Sequence, residues 1–187
     1  FMKVKTKLAP LAALLTLLFS SQASAVVIDF IDLTEGAGNL GESSWSTLSI
    51  AGAFGLEITG HATNDNAGDT QQFAYLDWGN AGLGVCKDAI GAPTGAQPNN
   101  STNSCQPSSD ENVTVGEYLE FKFDEDVIVG DLWFNNNHDG GFDASDLVTI
   151  NGTAYSAILG YAGDANGIGP VGLLKAGDIL TVAYNNE

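Results

Sequence analysis

The chain has 187 residues, of which 23 are acidic and only six are basic, so its formal net charge is −17. None of the basic residues is an arginine. A surface of this charge repels phosphate backbones and anionic lipid headgroups, which proteins normally bind through lysine and arginine. The composition therefore predicts no nucleic-acid partner, and the length fits one domain after a leader.

The first 25 residues have the pattern of an export signal. Three lysines precede an apolar run at 8–19, and small residues occupy positions 23–25. The run is shorter than the roughly 20 apolar residues of a membrane span. We predict that residues 1–25 are a cleaved signal peptide and that 26–187 form one secreted β-sandwich domain. That domain has three basic residues against 23 acidic ones, a formal charge of −20.

The two cysteines, Cys86 and Cys105, are expected to form a disulfide, because an exported protein enters an oxidising compartment. The bond would close the loop 86–105, which is aperiodic and rich in Pro, Gly and Asn. Restricting the unfolded chain in this way contributes on the order of 3 kcal/mol. The alternative, a reactive thiol pair, lacks the Cys-x-x-Cys spacing.

Alternation of polar and apolar residues predicts short strands through most of the mature chain. We expect strands at 26–33, 45–50, 54–59, 73–78, 119–123, 127–134, 148–150, 154–159 and 179–184.

No mature window has the 3.6-residue period over three turns, and only 173–178 could hold a helical turn. Short strands separated by glycine turns indicate an all-β fold. We predict an antiparallel β-sandwich, jelly-roll-like, with long loops rich in glycine, Asp and Asn.

The clearest pattern lies in two neighbouring strands. In 119–123, apolar residues alternate with Glu, Lys and Asp, which predicts one core face and one solvent face. In 127–134, the same reasoning places Ile128 and Leu132 on one face and Trp133 on the other.

Residues 135–146 concentrate Asn, Asp and Gly. Calcium takes six to eight oxygen ligands, and a flexible glycine loop can supply them. We therefore expect a calcium site with Asn137, Asp139, Asp143 and Asp146 as ligands, although the spacing is not that of an EF-hand. The alternative is a solvated loop whose Asp and Asn side chains bond their own backbone.

Catalysis finds little support in the sequence. His61 and His138 are expected to be exposed loop residues, because a zinc site needs further ligands and no serine has a triad-like context. Carboxylate pairs such as Glu120 with Asp124, or Asp143 with Asp146, could hydrolyse glycosidic bonds, but chance pairs are abundant in so acidic a chain. We predict no enzymatic activity.

Aromatic residues raise a different possibility. A platform on which a sugar stacks could form from the tryptophans and tyrosines, namely Trp45, Trp78, Trp133, Tyr75, Tyr118, Tyr155 and Tyr161. Trp133 is predicted to face away from its apolar neighbours Leu132 and Phe134. The alternative is that Trp133 packs in a second layer, as large aromatic residues in sandwiches usually do.

Two motifs stand out, Gly-Leu-Gly-Val at 82–85 and the Gly-Glu-x-Leu-x-Phe-x-Phe pattern at 116–123, separated by a variable insert. Their order resembles that in bacterial exported proteins of the PEP-CTERM group, which exosortase sorts. The resemblance covers roughly 75–184. It implies a protein secreted to the cell surface or matrix of a biofilm-forming Gram-negative bacterium, with no known enzymatic activity. It also implies a C-terminal Pro-Glu-Pro sorting tail and membrane anchor, which would follow Glu187.

These observations together predict a non-catalytic surface or extracellular-matrix protein with structural calcium. Its expected partners are extracellular polysaccharide or other matrix and surface proteins, and self-assembly through an unpaired edge strand is a further expectation. The alternatives are a carbohydrate-binding module and, more weakly, a polysaccharide-active enzyme.

Overall fold

The computed structural model describes residues 25–35, 40, 42–63, 70–79, 81–88, 105, 112–134, 145–157 and 167–186. Its elements in chain order are α1 (Phe30–Glu35), β1 (Ser43–Trp45), β2 (Leu48–Ile50), β3 (Leu56–Ala62), β4 (Thr70–Asp77), β5 (Gly82–Cys86), β6 (Glu117–Phe123), β7 (Val127–Val129), β8 (Asp146–Ile150), β9 (Thr153–Ser156), β10 (Gly172–Leu174) and β11 (Ile179–Asn186).

All pairings between these strands are antiparallel, and the fold is all-β and sandwich-like, as predicted. The main path of hydrogen-bonded neighbours runs β1-β4-β3-β6-β11-β8-β9, with β2 added to β3 and β5 added to β4. A separate two-stranded sheet joins β7 to β10. The jelly-roll arrangement of the connections stays a prediction.

Strand β4 belongs to two parts of the fold. Its residues 70–72 pair with β3, whereas 73–77 pair with β5 and 74–76 also pair with β1. Its second half is therefore held between β1 and β5, away from the β3–β6–β11 centre of the sheet. Buried apolar side chains from both parts form one cluster, which includes Leu76 of β4 and Leu119 of β6.

The predicted faces of β6 are confirmed. Leu119 and Phe123 are buried, and Phe121 packs against the same core cluster. Lys122, on the other face, is exposed. Because β6 pairs with β3 on one edge and β11 on the other, its alternation is fixed from both sides.

The predicted strand at 26–33 is wrong, because the chain forms α1 from Phe30. The carboxylate of Asp29 accepts hydrogen bonds from the backbone N–H of Ile31 at 2.9 Å and of Asp32 at 3.1 Å. An aspartate that satisfies the first free N–H groups in this way favours a helix start. Val27, which the strand prediction included, has no regular structure and is 80% exposed.

The faces predicted for 127–134 are only partly correct. Ile128 was expected inside but is 81% exposed, while its neighbours in β7 pack against the core. The alternation breaks at Gly130, since β7 ends before it. Beyond that point Leu132 packs against the core and exchanges two backbone hydrogen bonds of 2.9 Å with Ile168. From Leu132 onward the inward and outward faces of the chain are again those predicted.

Other boundaries also differ from those predicted. The strand at 154–159 is observed as β9, and positions 158 and 159 lie outside the described residues. Segment 173–178 begins in β10 and continues as a turn rather than a helical turn. Strand β5 was not predicted at all. No helix in the described ranges has the length and apolar character needed to cross a membrane.

Candidate functional site

Trp133 is the clearest aromatic residue that the core does not use. Its side chain is 48% exposed, whereas Leu132 and Phe134 on either side pack against the core, as the sequence predicted. Its indole N–H makes no hydrogen bond within the described part of the chain. Trp45 is the opposite case, because it is 8% exposed and its Nε1 donates to Ser43 Oγ at 2.8 Å. Trp45 therefore serves the fold, and Trp133 is available to a ligand.

The ring of Trp133 rests on the backbone of Gly167. A Cβ built on Gly167 would lie 2.8 Å from Cε2 of Trp133 and 2.8 Å from Cβ of Asp131, which no side chain could tolerate. Glycine at this position lets the indole of Trp133 lie close to the backbone of the segment that contains residue 167. The contact supports one side of the ring.

A groove of about 170 Å³ is lined in part by the residues that directly follow Gly167. It runs between β9 and residues 168–171, and Thr153, Tyr155 and Pro170 are among the residues that line it. Tyr155 is 38% exposed, and its hydroxyl makes no hydrogen bond with any residue that the structure describes. Sequence reasoning missed this groove.

A two-residue turn places β9 against β8. Asn151 has a φ of 48° and Gly152 a φ of 78°, the positive values that an Asn-Gly hairpin turn of type I′ requires. Asn151 Oδ1 accepts a hydrogen bond from the backbone N–H of Thr181 at 2.9 Å. The turn is thereby tied to β11, and Thr153 and Tyr155 follow it directly.

The predicted calcium ligands are mostly outside the described residues. Asn137, Asp139 and Asp143 lie there, so only Asp146 can be placed. It is the first residue of β8, is 6% exposed, and accepts a hydrogen bond from the hydroxyl of Tyr184 at 2.5 Å. Among the residues that the structure covers, no three His, Cys, Asp or Glu side chains converge on a common point.

The prediction of an exposed loop position for His61 is wrong. His61 lies in β3, its side chain is 16% exposed, and it stacks on its cross-strand partner Tyr118 with ring centroids 4.8 Å apart. Its Nε2 lies 2.9 Å from Thr59 Oγ1 and 3.3 Å from Glu120 Oε2. The alternation of β3 continues through His61, and that signal could have placed it. His138 lies outside the described residues.

The carboxylates considered for catalysis have structural partners. Glu120 contacts His61, and Asp124 Oδ1 accepts a hydrogen bond from the backbone N–H of Gly55 at 2.7 Å. Asp143 is outside the described ranges. The first contact joins β6 to β3. The second joins the turn after β6 to the residue that precedes β3. They do not assemble an acid, a base and a substrate-positioning group at one place.

The predicted disulfide between Cys86 and Cys105 is present, with a Cα–Cα distance of 5.7 Å. Both cysteines are buried and pack with Tyr75, which is fully buried and donates its hydroxyl proton to Glu42 Oε1 at 2.8 Å. Phe73 packs on the same small cluster. The disulfide therefore has its own apolar surroundings on β4 and β5, on the face opposite the main core.

A second concavity of about 210 Å³ lies between residues 26–33 and 50–54. Two carboxylates, Asp29 and Asp32, belong to its lining, and Asp29 is already used to begin α1. The exposed Trp133 and the groove beside β9 offer a better arrangement for a ligand, because both combine aromatic surface with polar groups.

No protein-family model, curated protein or solved structure matches this chain.

Proposed function

We propose that the chain is an exported, non-catalytic protein of the surface or extracellular matrix of a Gram-negative bacterium. The observation that carries the proposal is the buried Cys86–Cys105 disulfide, because such bonds persist in oxidising compartments outside the cytoplasm. The leader pattern of residues 1–25 and the resemblance to PEP-CTERM proteins point in the same direction. The large excess of acidic residues supports solubility and disfavours anionic partners.

Structural calcium belongs to the same proposal. Asp146 is both the last residue of the acidic segment 135–146 and the first residue of β8, so an ion bound there would hold that segment to the sheet. Titrating calcium into the metal-free chain should release heat and raise the melting temperature. The absence of both effects would remove calcium from the proposal.

The test of location uses the chain expressed with its leader in a Gram-negative host. Fractionation should find it outside the cytoplasm, with Val26 as its first residue and no thiol available to a maleimide before reduction. A full-length, reduced protein in the cytoplasm would contradict the proposal. In the source bacterium, antibodies should find the protein in the matrix or on the cell surface.

A carbohydrate-binding module is the second candidate function. The observation that favours it is the 48% exposure of Trp133, whose indole N–H has no partner in the described chain. Aromatic residues of this kind offer an apolar face and a polar edge together. A glycan array probed with the wild type and with Trp133→Ala tests this candidate. Loss of binding in a correctly folded variant supports the module, and binding that the change leaves intact opposes it.

A further inference from the structure

We propose that the groove between β9 and residues 168–171, together with the ring of Trp133, binds one stretch of a neutral polysaccharide. The proposal rests on the carbohydrate-binding candidate above, and it adds the site and the class of ligand. The segment 167–171 links the two features, because Trp133 lies over Gly167 and residues 168–171 line the groove together with Tyr155.

The two aromatic side chains fit the apolar faces of sugar rings. Trp133 is 48% exposed and Tyr155 is 38% exposed, so neither is needed to fill the core. Tryptophan and tyrosine bring large, rigid surfaces with few rotatable bonds and therefore lose little entropy on binding. Pro170 adds an exposed apolar surface to the lining of the groove.

The ring of Trp133 has a backbone contact on one side before a ligand arrives. Its Cε2 is so close to Gly167 that a Cβ there would be 2.8 Å away, and the ring therefore rests on backbone. Gly169 is equally confined, since its Cβ would lie 2.8 Å from Oδ1 of Asp131. A ring held in place pays less of the ordering cost of binding.

Polar groups in the groove match sugar hydroxyls. The hydroxyls of Thr153 and Tyr155 make no hydrogen bond with the described residues. Asn151 uses Oδ1 for the backbone of Thr181, which leaves its amide nitrogen to donate. Binding sites for small ligands typically combine an apolar surface with a few such groups.

The negative charge of the protein favours neutral polysaccharides over anionic ones. No lysine is among the described residues that line the groove, and the exposed carboxylate of Asp131 lies beside Gly169. An anionic polymer would be repelled here, as by the rest of a chain with net charge −17. The groove, at about 170 Å³, is smaller than the roughly 300–1,000 Å³ of pockets for drug-sized molecules. It therefore suits one sugar unit of a chain that continues across Trp133.

The test is affinity electrophoresis of the purified chain, with its disulfide formed, in native gels containing hydroxyethylcellulose, dextran or galactomannan. Alginate serves as the anionic polymer. We expect at least one neutral polymer to retard the protein and alginate to leave it unretarded. Trp133→Ala and Tyr155→Ala should each weaken the retarding interaction about tenfold or more.

The matched control is Trp78→Ala, because Trp78 is 41% exposed but lies in the turn after β4 and does not line the groove. It should bind as the wild type does, and circular dichroism with thermal melting should show all variants folded. The site is overturned if no neutral polymer retards the protein, if alginate retards it equally, or if both groove variants bind normally. The location of the protein is measured in a separate experiment. If the protein is exported but binds no polysaccharide, the proposed site is wrong and the proposal of export still stands.

Discussion

Lys87 Nζ lies 2.8 Å from Oε1 of Glu117, a carboxylate that is only 1% exposed. Glu117 occupies a position of β6 where the alternation would place an apolar residue. Its Oε2 accepts hydrogen bonds from the backbone N–H and the hydroxyl of Thr114, both at 2.8 Å. At this distance the ammonium group of Lys87 and the carboxylate of Glu117 form an ion pair. Since Lys87 follows Cys86, the pair joins the end of β5 to the start of β6.

Lys87→Met should lower the free energy of unfolding by about 1–3 kcal/mol, because it leaves the buried carboxylate of Glu117 without its cation. The loss should be smaller than for a fully buried pair, since the Lys87 side chain is 47% exposed. Urea denaturation measures the change. In a double-mutant cycle with Glu117→Gln, the effects of the two changes should not add. Additive effects would show that the ion pair contributes nothing.

Removing the disulfide by the double change Cys86→Ser and Cys105→Ser should cost about 3 kcal/mol, because the bond closes a loop between residues 19 positions apart. The loss should be largest in the cluster around Tyr75, which packs on both cysteines. Urea denaturation and tyrosine fluorescence measure the two effects. Reduction of the wild type should give a similar loss, and an unchanged midpoint under reducing conditions would contradict the prediction.

Asn151→Ala should destabilise the protein by about 2 kcal/mol. Alanine is strained at the φ of 48° found there, and the hydrogen bond to the backbone of Thr181 is lost. Asn151→Gly removes the backbone strain but still loses the hydrogen bond to Thr181. The stability of the glycine variant should therefore lie between those of the wild type and the alanine variant. Thermal melting of the three proteins gives the order, and equal melting temperatures for the two variants would show that φ is not the cause.

The parts of the fold that the sequence predicted are those in which local pattern and tertiary pairing agree. Strand β6 is one, because its alternation is regular and both of its edges are paired. Strand β5 was missed because its glycines carry no strand signal, and it is held by its pairing with β4. The apolar run at 26–33 has the composition of a strand, but Asp29 begins a helix within it.

In the candidate site, too, the features that follow from local pattern could be predicted, and those that depend on the tertiary fold could not. The outward direction of Trp133 followed from its position between Leu132 and Phe134, so it could be predicted. The groove could not, because it brings Tyr155 of β9 against Pro170, and only the tertiary fold places these two near each other. For His61, the alternation of β3 could have given its position in a strand, whereas its contact with Tyr118 could not be predicted. Its stacking on Tyr118 depends on the register of β3 with β6, which the sequence does not specify.

Gly60→Ala should destabilise the fold by about 2–3 kcal/mol, because the new Cβ would lie 2.5 Å from the carbonyl oxygen of Phe73. Gly60 is where β3 meets β4, and a backbone atom cannot move aside as a flexible side chain can. Gly52→Ala is the control, since no heavy atom lies within 4 Å of the added carbon. It should change stability by less than about 0.5 kcal/mol. Similar urea midpoints for the two variants would contradict the close approach of β3 and β4.

A surface contact between two turns should make the stability of the protein depend slightly on pH in the acidic range. Asp126 Oδ2 lies 2.6 Å from Lys175 Nζ, and Oδ1 accepts a hydrogen bond from the backbone N–H of Ala176 at 3.0 Å. The hydrogen bond from Lys175 lowers the pKa of Asp126, and the same bond raises the pKa of Lys175. A carboxylate with a lowered pKa stabilises the fold above its ordinary pKa and loses that contribution as the pH falls through the lowered value. A lysine with a raised pKa stabilises the fold below its ordinary pKa and loses that contribution as the pH rises through the raised value.

The contact should therefore be fully formed at neutral pH and weaken below about pH 3.9, the ordinary pKa of an aspartate. Asp126→Asn should melt slightly below the wild type at pH 7, and the two proteins should converge as the solution is acidified. The difference should also shrink in high salt, because both groups are exposed. Glu125→Gln is the matched control, since Glu125 is an exposed neighbour without an ion pair in the described chain. A constant difference between Asp126→Asn and the wild type from pH 7 to pH 2 would show that the charge of Asp126 is not what joins the turns.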